Sequence, residues 1–333
     1  MRIIESELSL NQIFINEMKK RLFKIELEIM NYKLRIQFVK LVCYMALLVI
    51  IVLTNSCKIQ RPDKRFSYSV IYPTYPNKKG PSIYIDEAHH EEHTLTTGYK
   101  PFADVLKSDG YNVFGFNEIF SDSSLKKVEV LVIVNALNEK NIHPKTLPTF
   151  SAFTNDEITA IKKWVENGGS LFLVADHMPY PGAASDLVSQ FGFTLMNCFA
   201  MRSKFRGNIV FTKNEHTLNS FEPITNRLDS IAAYFGSAFQ IPKEAHNLLS
   251  IPNDFKIYLT KKPWRFYMNT TIISAEGYSQ GAVLEYGKGK MAVFGEGAMF
   301  TAQYMALSKS GINAPKAKNN VHFLLNTMHW LTE

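Results

Sequence analysis

The feature that most constrains the fold is a capped amphipathic helix between two short apolar runs. The run Val128–Val134 (VEVLVIV) is rich in β-branched residues, which is typical of a strand buried on both faces of a parallel sheet. Thr154–Glu157 (TNDE) is a capping box that begins a helix with apolar residues at helical spacing as far as Gly168. The apolar run Ser170–Ala175 (SLFLVA) follows at once. This order predicts a β-α-β unit and a parallel sheet.

The same alternation of strand-like and helix-like segments extends through most of the chain after Pro81. The further predicted elements are strands at Ser82–Asp86 and Asn112–Phe116, a helix at Pro101–Ser108, a β-hairpin of Gly281–Tyr286 and Met291–Gly295, and a helix at Asn319–Leu331. Residues 193–270 show no periodicity that favours either element. Repeated β-α-β order predicts an α/β fold with a doubly wound, mostly parallel sheet, helices on both faces and a late β-hairpin.

The front of the chain is typical of an export signal. Leu41–Thr54 (LVCYMALLVIIVLT) is apolar, uncharged and preceded by basic residues. It is shorter than the roughly 20 residues of a membrane span but suits the core of a signal peptide. Ser56-Cys57 resembles the cleavage site of a bacterial lipoprotein, so we predict a signal peptide at 30–56 and lipidation of Cys57. The alternative is an uncleaved signal anchor.

Residues 1–29 form a charged extension of a kind that export signals seldom carry, and Met30 starts a conventional basic segment. They are predicted to be an over-extended start or, if real, a cytoplasmic tail with an amphipathic helix. The polar, proline-containing segment 57–80 is predicted to be a tether, and the domain is predicted to span 81–333. The predicted location is the bacterial cell envelope, with a membrane-anchored domain facing the periplasm or the cell surface.

Charge and cysteine content exclude several classes of function. A formal net charge of +7 is mild for 333 residues, and no basic cluster with interleaved aromatic residues is apparent, so no nucleic-acid partner is predicted. Three cysteines cannot form a disulfide framework, and no Cys-x-x-Cys pair suggests a thiolate zinc site.

Polar side chains follow several predicted strands at the point where each strand ends. The run DEAHHEEH after the first strand holds three of the nine histidines in the chain. Ligands of doubly wound sheets bind beyond the carboxyl ends of the strands, so a small-molecule or glycan site is predicted there. The candidate catalytic residues are Asp176, His177 and Glu296, and the candidate ligand-binding residues are Asp86, Glu87, His90 and Asn135.

A divalent metal is one hypothesis for this site. Imidazole and carboxylate bind zinc, iron or manganese where thiolates are absent, and a helix over 89–93 would place His89 and His93 on one face. The order HHEEH is not the H-E-x-x-H of zincins. The alternatives are a solvated loop, or a site that holds a sugar or an acid without metal. Glu296 also has an alternative role, as the N-terminal acid of a helix over 298–307.

Two familiar motifs are incomplete. Asp86–His89 spells the DEAH box of helicases, but the chain has no G-x-x-x-x-G-K-[ST] loop for phosphates. It has no G-x-S-x-G nucleophile elbow either, so neither nucleotide hydrolysis nor serine-hydrolase chemistry is predicted.

Six blocks within 82–331 carry a family resemblance. They are DEAHHEEHT, PFADVLKSDGY, VLVIVNAL, SAFTNDEITAIKKWVENGGSLFLVADHMPYPGAASDLVSQFG, QGAVLEYGKGKMAVFGEGAMF and NNVHFLLNTMHWL. Together they resemble a bacterial lipoprotein-like family of unknown function in the class I glutamine amidotransferase-like superfamily. The resemblance implies a flavodoxin-like sheet. The superfamily includes amidotransferases, trehalose-utilisation-type proteins and non-catalytic domains of gliding and ciliary transport proteins.

The chain departs from the amidotransferase pattern at its nucleophile. The turn that carries the catalytic cysteine in that class reads Val174-Ala-Asp-His-Met-Pro here, so Asp176 and His177 occupy the elbow. The partner His-x-Glu pair is also missing. Glutaminase chemistry through a Cys-His arrangement is therefore not predicted.

Three functions are consistent with the sequence. The first is an exported hydrolase acting on a carbohydrate or cell-envelope fragment, with Asp176 or Glu296 as general base and a divalent metal as an option. The second is a non-catalytic carbohydrate-binding or envelope-assembly lipoprotein, in which Tyr99, Tyr180 and Phe300 form an aromatic rim. The third is a purely structural envelope protein.

Overall fold

The computed structural model describes residues 2–55, 60–202 and 209–333, and it describes the side chains of all of these except 2–16 and 47–55. The chain divides into two compact units, Met1–Ile59 and Gln60–Glu333. The first unit contains the helix Arg2–Asn55, whose side chains over 17–46 are exposed. Within the described residues, no helix combines the length and the apolar character that a membrane span requires. Cys57 lies outside the described residues, so its lipidation stays a prediction.

Among its described residues, the second unit contains sixteen strands and five α-helices. The remaining α-helix is the one in the first unit. The helices are α1 (Arg2–Asn55), α2 (Lys100–Ser108), α3 (Asn155–Glu166), α4 (Tyr180–Ser189), α5 (Glu222–Thr225) and α6 (Asn320–Thr332). The strands are β1 (Gln60–Pro62), β2 (Ser82–Asp86), β3 (Asn112–Phe116), β4 (Val130–Val134), β5 (Ser170–Val174), β6 (Thr194–Arg202), β7 (Ile209–Thr212), β8 (Ser230–Ala233), β9 (Gly236–Gln240), β10 (His246–Ser250), β11 (Phe255–Leu259), β12 (Thr271–Ser274), β13 (Ser279–Tyr286), β14 (Gly289–Phe294), β15 (Ala302–Met305) and β16 (Ser308–Gly311).

The large sheet is mixed, and its two halves meet at β14. Its order is β12-β11-β6-β9-β13-β14-β5-β4-β2-β3, with β10 paired to β13. The strands β3, β2, β4, β5 and β14 run parallel to one another, as the β-α-β order predicted. The strands from β13 to β12 are antiparallel, and most of them occupy the region where the sequence showed no periodicity.

Local sequence explains the parallel half. All five residues of β4 and of β5 are buried, which matches their continuous apolar runs. Alternate residues of β4 enter two different hydrophobic clusters, one containing residues of α2 and α6 and the other residues of α3 and α4. The predicted capping box is confirmed, because Thr154 and Glu157 exchange side-chain and backbone hydrogen bonds at the start of α3.

The predicted hairpin is confirmed, with Tyr286 opposite Gly289 at its tip. Because β14 also pairs in parallel with β5, the hairpin brings Glu296 to the same sheet edge as Asp176. The alternative prediction of a helix over 298–307 is wrong. Only Ala298–Phe300 forms a 3₁₀ turn, and β15 and β16 follow it.

From Gln60 onward, the segment predicted to be a tether is part of the second unit and packs against its core. β1 pairs with β15, and Asp63 donates its backbone N–H to Ala302. Four aromatic or aliphatic side chains are partly buried against the main hydrophobic cluster, namely Phe66, Tyr68, Val70 and Tyr75. These scattered residues anchor the segment without any strand or helix period, which is why its sequence resembles that of a linker.

Candidate functional site

A cavity of about 520 Å³ lies at the carboxyl ends of the parallel strands. Four of the seven residues predicted for binding or catalysis line it, since Asn135, Asp176, His177 and Glu296 follow β4, β5 and β14. His93 lines it too. The rest of the wall comes from β1 and β15, from the loops that follow β2, β4, β5, β8 and β11, and from the start of α4. They include Arg61, Glu92, Lys145, Tyr180, Phe235, Trp264 and Gln303.

Asn135, directly after β4, joins two of the loops that follow the parallel strands. Its φ of +58° lies in the left-handed region, where only a few per cent of non-glycine residues occur. Its side-chain Oδ1 accepts the backbone N–H of Asp176 at 2.9 Å, and its carbonyl accepts the N–H of Glu92 at 3.2 Å. Asn135 therefore fixes two neighbouring loops of the cavity.

The geometry around His177 determines which ring nitrogen carries a proton. Nδ1 lies 2.9 Å from the carbonyl oxygen of Met178, which can only accept, so Nδ1 donates and the neutral ring keeps its lone pair on Nε2. The ring stacks on Phe199 at 4.5 Å and meets Trp264 edge-on at 4.7 Å. No hydrogen bond to Nε2 is present within the described ranges, so this nitrogen is available to a ligand or a water.

Two carboxyl groups in the cavity have pKa values above their ordinary ones. Burial raises the pKa of Glu296 well above its ordinary value, and the neighbouring Asp176 carboxylate raises it further. Burial also raises the pKa of Asp176, against hydrogen bonds from the backbone N–H groups of His177 and Gly297. Both Glu296 oxygens accept backbone N–H groups, from Ala298 and Met299, each at 2.8 Å. Glu296 thus caps the 3₁₀ turn and lines the cavity.

The cavity wall also contains a hydrogen-bonded cluster of three side chains that the sequence analysis did not predict. Lys145 donates to Glu92 at 2.6 Å and to the hydroxyl of Tyr180 at 2.8 Å, and Tyr180 donates to Glu92 at 2.6 Å. Burial favours a higher pKa for Glu92, but the bonds from Lys145 and Tyr180 overcome it and lower the pKa. Lys145 stands in a loop with no distinctive pattern, so nothing in the sequence could have linked it to Glu92.

His93 is neutral in this environment. Burial lowers its pKa to about 4, and its ring stacks on Tyr99 at a centroid distance of 5.7 Å. Gly98 packs directly against this ring, because a Cβ at Gly98 would lie 2.1 Å from Nδ1 of His93. The ring of His93 therefore occupies space that is available only because residue 98 is glycine.

The Gly98→Ala variant is expected to displace the His93 ring and to lower the free energy of unfolding by about 1–3 kcal/mol, the usual effect of overpacking. Nuclear magnetic resonance of the histidine side chains would detect the shift of His93, and chemical unfolding would measure the loss. Gly277→Ala is the control for an added methyl group in open space, since nothing lies within 4 Å of the position that its Cβ would take, although its φ of +81° adds backbone strain. An unshifted His93 resonance in Gly98→Ala would contradict this packing.

The remaining predicted residues lie outside the cavity wall. Residues 89–93 are not helical, so the predicted shared face of His89 and His93 is wrong. Glu87 accepts the backbone N–H of Leu95 at 2.9 Å, and His90 is exposed with a φ of +53°. The predicted aromatic rim is also revised by the structure. Tyr99 and Phe300 are fully buried in the core, whereas Trp264, which was not predicted, is 45% exposed.

Asp86 and His89 form a buried cluster with two further acids. His89 Nδ1 lies 2.8 Å from Asp86, and Nε2 lies 2.7 Å from Glu157 in the α3 capping box. Burial lowers the pKa of His89, but the two carboxylates overcome this effect and raise it. Burial and the Asp86 carboxylate raise the pKa of Glu91 to about 10. The two carboxylates therefore favour the protonated form of His89, and Glu91 stays protonated at neutral pH.

Asp86, His89 and Glu91 are the one set of three such side chains, within the described part of the chain, whose ligand atoms converge to within 4.8 Å. Both ring nitrogens of His89 already face carboxylate oxygens at hydrogen-bond distance. With Asp86 and Glu157 ionised, both ring nitrogens donate, and a doubly protonated ring has no lone pair for a metal. The residues fit a buried ion-pair cluster and do not fit a metal centre.

Comparisons with known proteins add information on the fold. No protein-family model and no curated protein sequence matches the chain. The mmIFT52 N-terminal domain is similar in structure, with a TM-score of 0.55 and 15% identity over 75% of this chain and 97% of that domain. A ThuA-like protein from Bacteroides uniformis aligns with a TM-score of 0.44 and 16% identity, over 80% of this chain and 95% of that one. A cytoplasmic protein from Salmonella typhimurium aligns with a TM-score of 0.41 and 13% identity, over 75% and 98%. The chain therefore shares the α/β fold of the mmIFT52 domain.

Proposed function

We propose that this chain is an exported, membrane-anchored hydrolase that acts on a carbohydrate or a cell-envelope fragment at the strand-end cavity. The observation that carries the proposal is the convergence of an imidazole with an available Nε2, two carboxyl groups with raised pKa values and the exposed ring of Trp264. Hydrolysis needs a base for the attacking water and an acid for the leaving group. An exposed tryptophan supplies the apolar face on which a sugar ring can stack.

The proposed step assigns one role to each group. His177 Nε2 accepts a proton from water while the water oxygen attacks the scissile carbon and the bond to the leaving oxygen breaks. The Asp176–Glu296 pair donates a proton to that leaving oxygen. Asn135 holds Asp176 in place, and Lys145 with Tyr180 orients Glu92 in the cavity wall. This assignment makes His177 the general base, a role that the sequence had suggested for the acids.

The proposed classification rests on the order of the parallel strands. Numbered among themselves, β3-β2-β4-β5-β14 gives 2-1-3-4-5, which is the order of flavodoxin-like doubly wound sheets. The two hydrophobic clusters with helices from each side are consistent with that arrangement. We assign the chain on this basis to the class I glutamine amidotransferase-like superfamily. The signal peptide, the lipidation of Cys57 and the envelope location belong to the same proposal and rest on the sequence.

A non-catalytic carbohydrate-binding function is the second candidate, and the hydrogen bonds of Glu296 favour it. Both oxygens of that carboxyl group are held by backbone N–H groups of the protein, as expected of a residue that shapes a cavity. In this case the cavity would bind a glycan through Trp264 and the polar wall without turnover.

Glu296→Gln is expected to reduce turnover about tenfold or more if the carboxyl pair supplies the proton, because glutamine cannot donate as an acid. The glutamine amide nitrogen also cannot accept the backbone N–H of Ala298 or Met299, so unfolding is measured on the same preparation. The full-length protein is screened against glycosides, glycan esters and envelope fragments, and the variant is tested on any substrate found. Glu285→Gln, at an exposed position of β13, is the control. Binding of glycans without turnover by the wild type would favour the second candidate.

A further inference from the structure

The loop 261–270 (KKPWRFYMNT), here named the basic aromatic loop, concentrates positive charge at the protein surface. It contains three basic residues and no acidic residue. Lys261, Lys262 and Arg265 are all exposed, and none of their side chains forms an ion pair within the described ranges. Because the pattern of basic and aromatic residues is confined to ten positions between weakly patterned strands, the composition and net charge of the whole chain give no sign of it.

The same loop exposes large apolar side chains. Trp264 is 45% exposed, Tyr267 60% and Met268 fully exposed. Several large apolar side chains exposed together in one short loop are typical of an interaction surface. Tryptophan and tyrosine favour the interface between lipid and water, where the ring is partly buried and the polar atom stays hydrated.

The basic aromatic loop borders the mouth of the strand-end cavity. Pro263 and Trp264 line that cavity, and Gln60 and Arg61 line it as well. Only two residues separate Gln60 from Cys57, the predicted lipidation site, and three residue steps of extended chain span at most about 10 Å. Charge, exposed apolar groups and the position of the predicted anchor therefore point to the same partner.

We propose that the basic aromatic loop docks on an anionic lipid surface, so that the cavity opens toward the membrane and receives membrane-associated substrates. The inference rests on the membrane anchoring proposed above. Each basic residue near an anionic bilayer strengthens binding by about fivefold, so the three together give a strong preference for anionic over neutral lipid. Single-stranded nucleic acid is the competing partner for basic and aromatic residues, but the fully exposed Met268 favours lipid.

The test uses the full-length protein with vesicles that contain brominated lipid, which quenches tryptophans in contact with the bilayer. Trp264 is the exposed one of three tryptophans, and Trp330 is buried. The Trp264→Phe variant gives the background signal. We expect quenching of Trp264 with phosphatidylglycerol vesicles and at least about tenfold weaker quenching with phosphatidylcholine vesicles.

Two double variants, each lacking two lysine charges, separate docking by the loop from membrane binding by the N-terminal helix. The helix is identical in both variants and in the wild type. Lys261→Gln/Lys262→Gln should shift half-maximal quenching to roughly 25-fold more anionic lipid. Lys126→Gln/Lys288→Gln should leave half-maximal quenching unchanged. These exposed lysines precede β4 and β14, so they lie at the end of the parallel strands away from the cavity.

Absence of quenching, or equal quenching with neutral and anionic vesicles, would overturn the proposal. Binding of a single-stranded oligonucleotide that is lost in the loop variant, without quenching by lipid, would assign the loop to nucleic acid instead. The assay contains no substrate, so an inactive protein can still dock, and an active hydrolase can fail to dock. Failure of the docking proposal and failure of the proposed function are thus distinguishable.

Discussion

The His89→Gln variant is expected to lose about 3–5 kcal/mol of unfolding free energy, the range for removal of one partner from a buried ion pair. His89 is 7% exposed and bridges Asp86 at the end of β2 to Glu157 at the start of α3. Glutamine can form hydrogen bonds but carries no charge, so both carboxylates would stay buried without their cation. Chemical unfolding of the full-length protein measures the difference.

The loss should depend on pH in a defined direction. The pKa of His89 is raised above its ordinary value of 6.5, so its contribution is complete below 6.5 and disappears as pH rises through the folded pKa. The pKa of Glu157 is lowered from 4.5, despite burial, by bonds from Thr154 and His89, so its contribution is complete above 4.5 and disappears at lower pH. The stability difference should therefore be largest between about pH 4.5 and 6.5.

The control is His90→Asn, which removes the exposed neighbouring histidine and keeps a residue that tolerates positive φ. It should change stability by no more than about 0.5 kcal/mol. If His89→Gln were as stable as the wild type, or if the difference grew above pH 6.5, the buried imidazolium would be disproved.

Sequence patterns predicted the parallel half of the sheet because each of its elements carries a local signal. β4 and β5 are apolar over most of their length, and α3 begins with a capping box. The antiparallel half has no such signal. Its strand β12 is largely exposed, and β6 pairs irregularly with β9, so tertiary pairing rather than residue pattern determines these strands. The approach of β1 to β15 is likewise a long-range contact.

The candidate site was predicted in part, for the same reason. Residues that directly follow a parallel strand, such as Asn135, reach the cavity because strand ends share one edge. Residues in the irregular run 87–93 do not follow that rule. His89 lies in a buried cluster with Glu157, which is 68 positions away in the sequence. Glu92 and His93, by contrast, line the cavity. The wall residues that come from long loops, such as Lys145, are brought to the site only by the folded chain.

His177→Ala is expected to lower kcat/KM by about 10²–10⁴-fold on any substrate that the wild type hydrolyses, the usual contribution of a general base. The fall should appear mainly in kcat, because Nε2 acts on the water rather than on the bound sugar. Added imidazole should restore part of the activity, since the variant leaves a ring-sized space between Phe199 and Trp264. His322→Ala, on the exposed face of α6, is the control.

Rescue by imidazole separates a chemical role from a structural one. The His177 ring packs on Phe199, so its removal also costs packing, and unfolding must be measured on the same preparation. A folded variant that is inactive and recovers with imidazole supports His177 as the base. A folded variant with unchanged kcat would remove His177 from the chemistry and return the role of base to the Asp176–Glu296 pair, whose raised pKa values suit an acid better than a base.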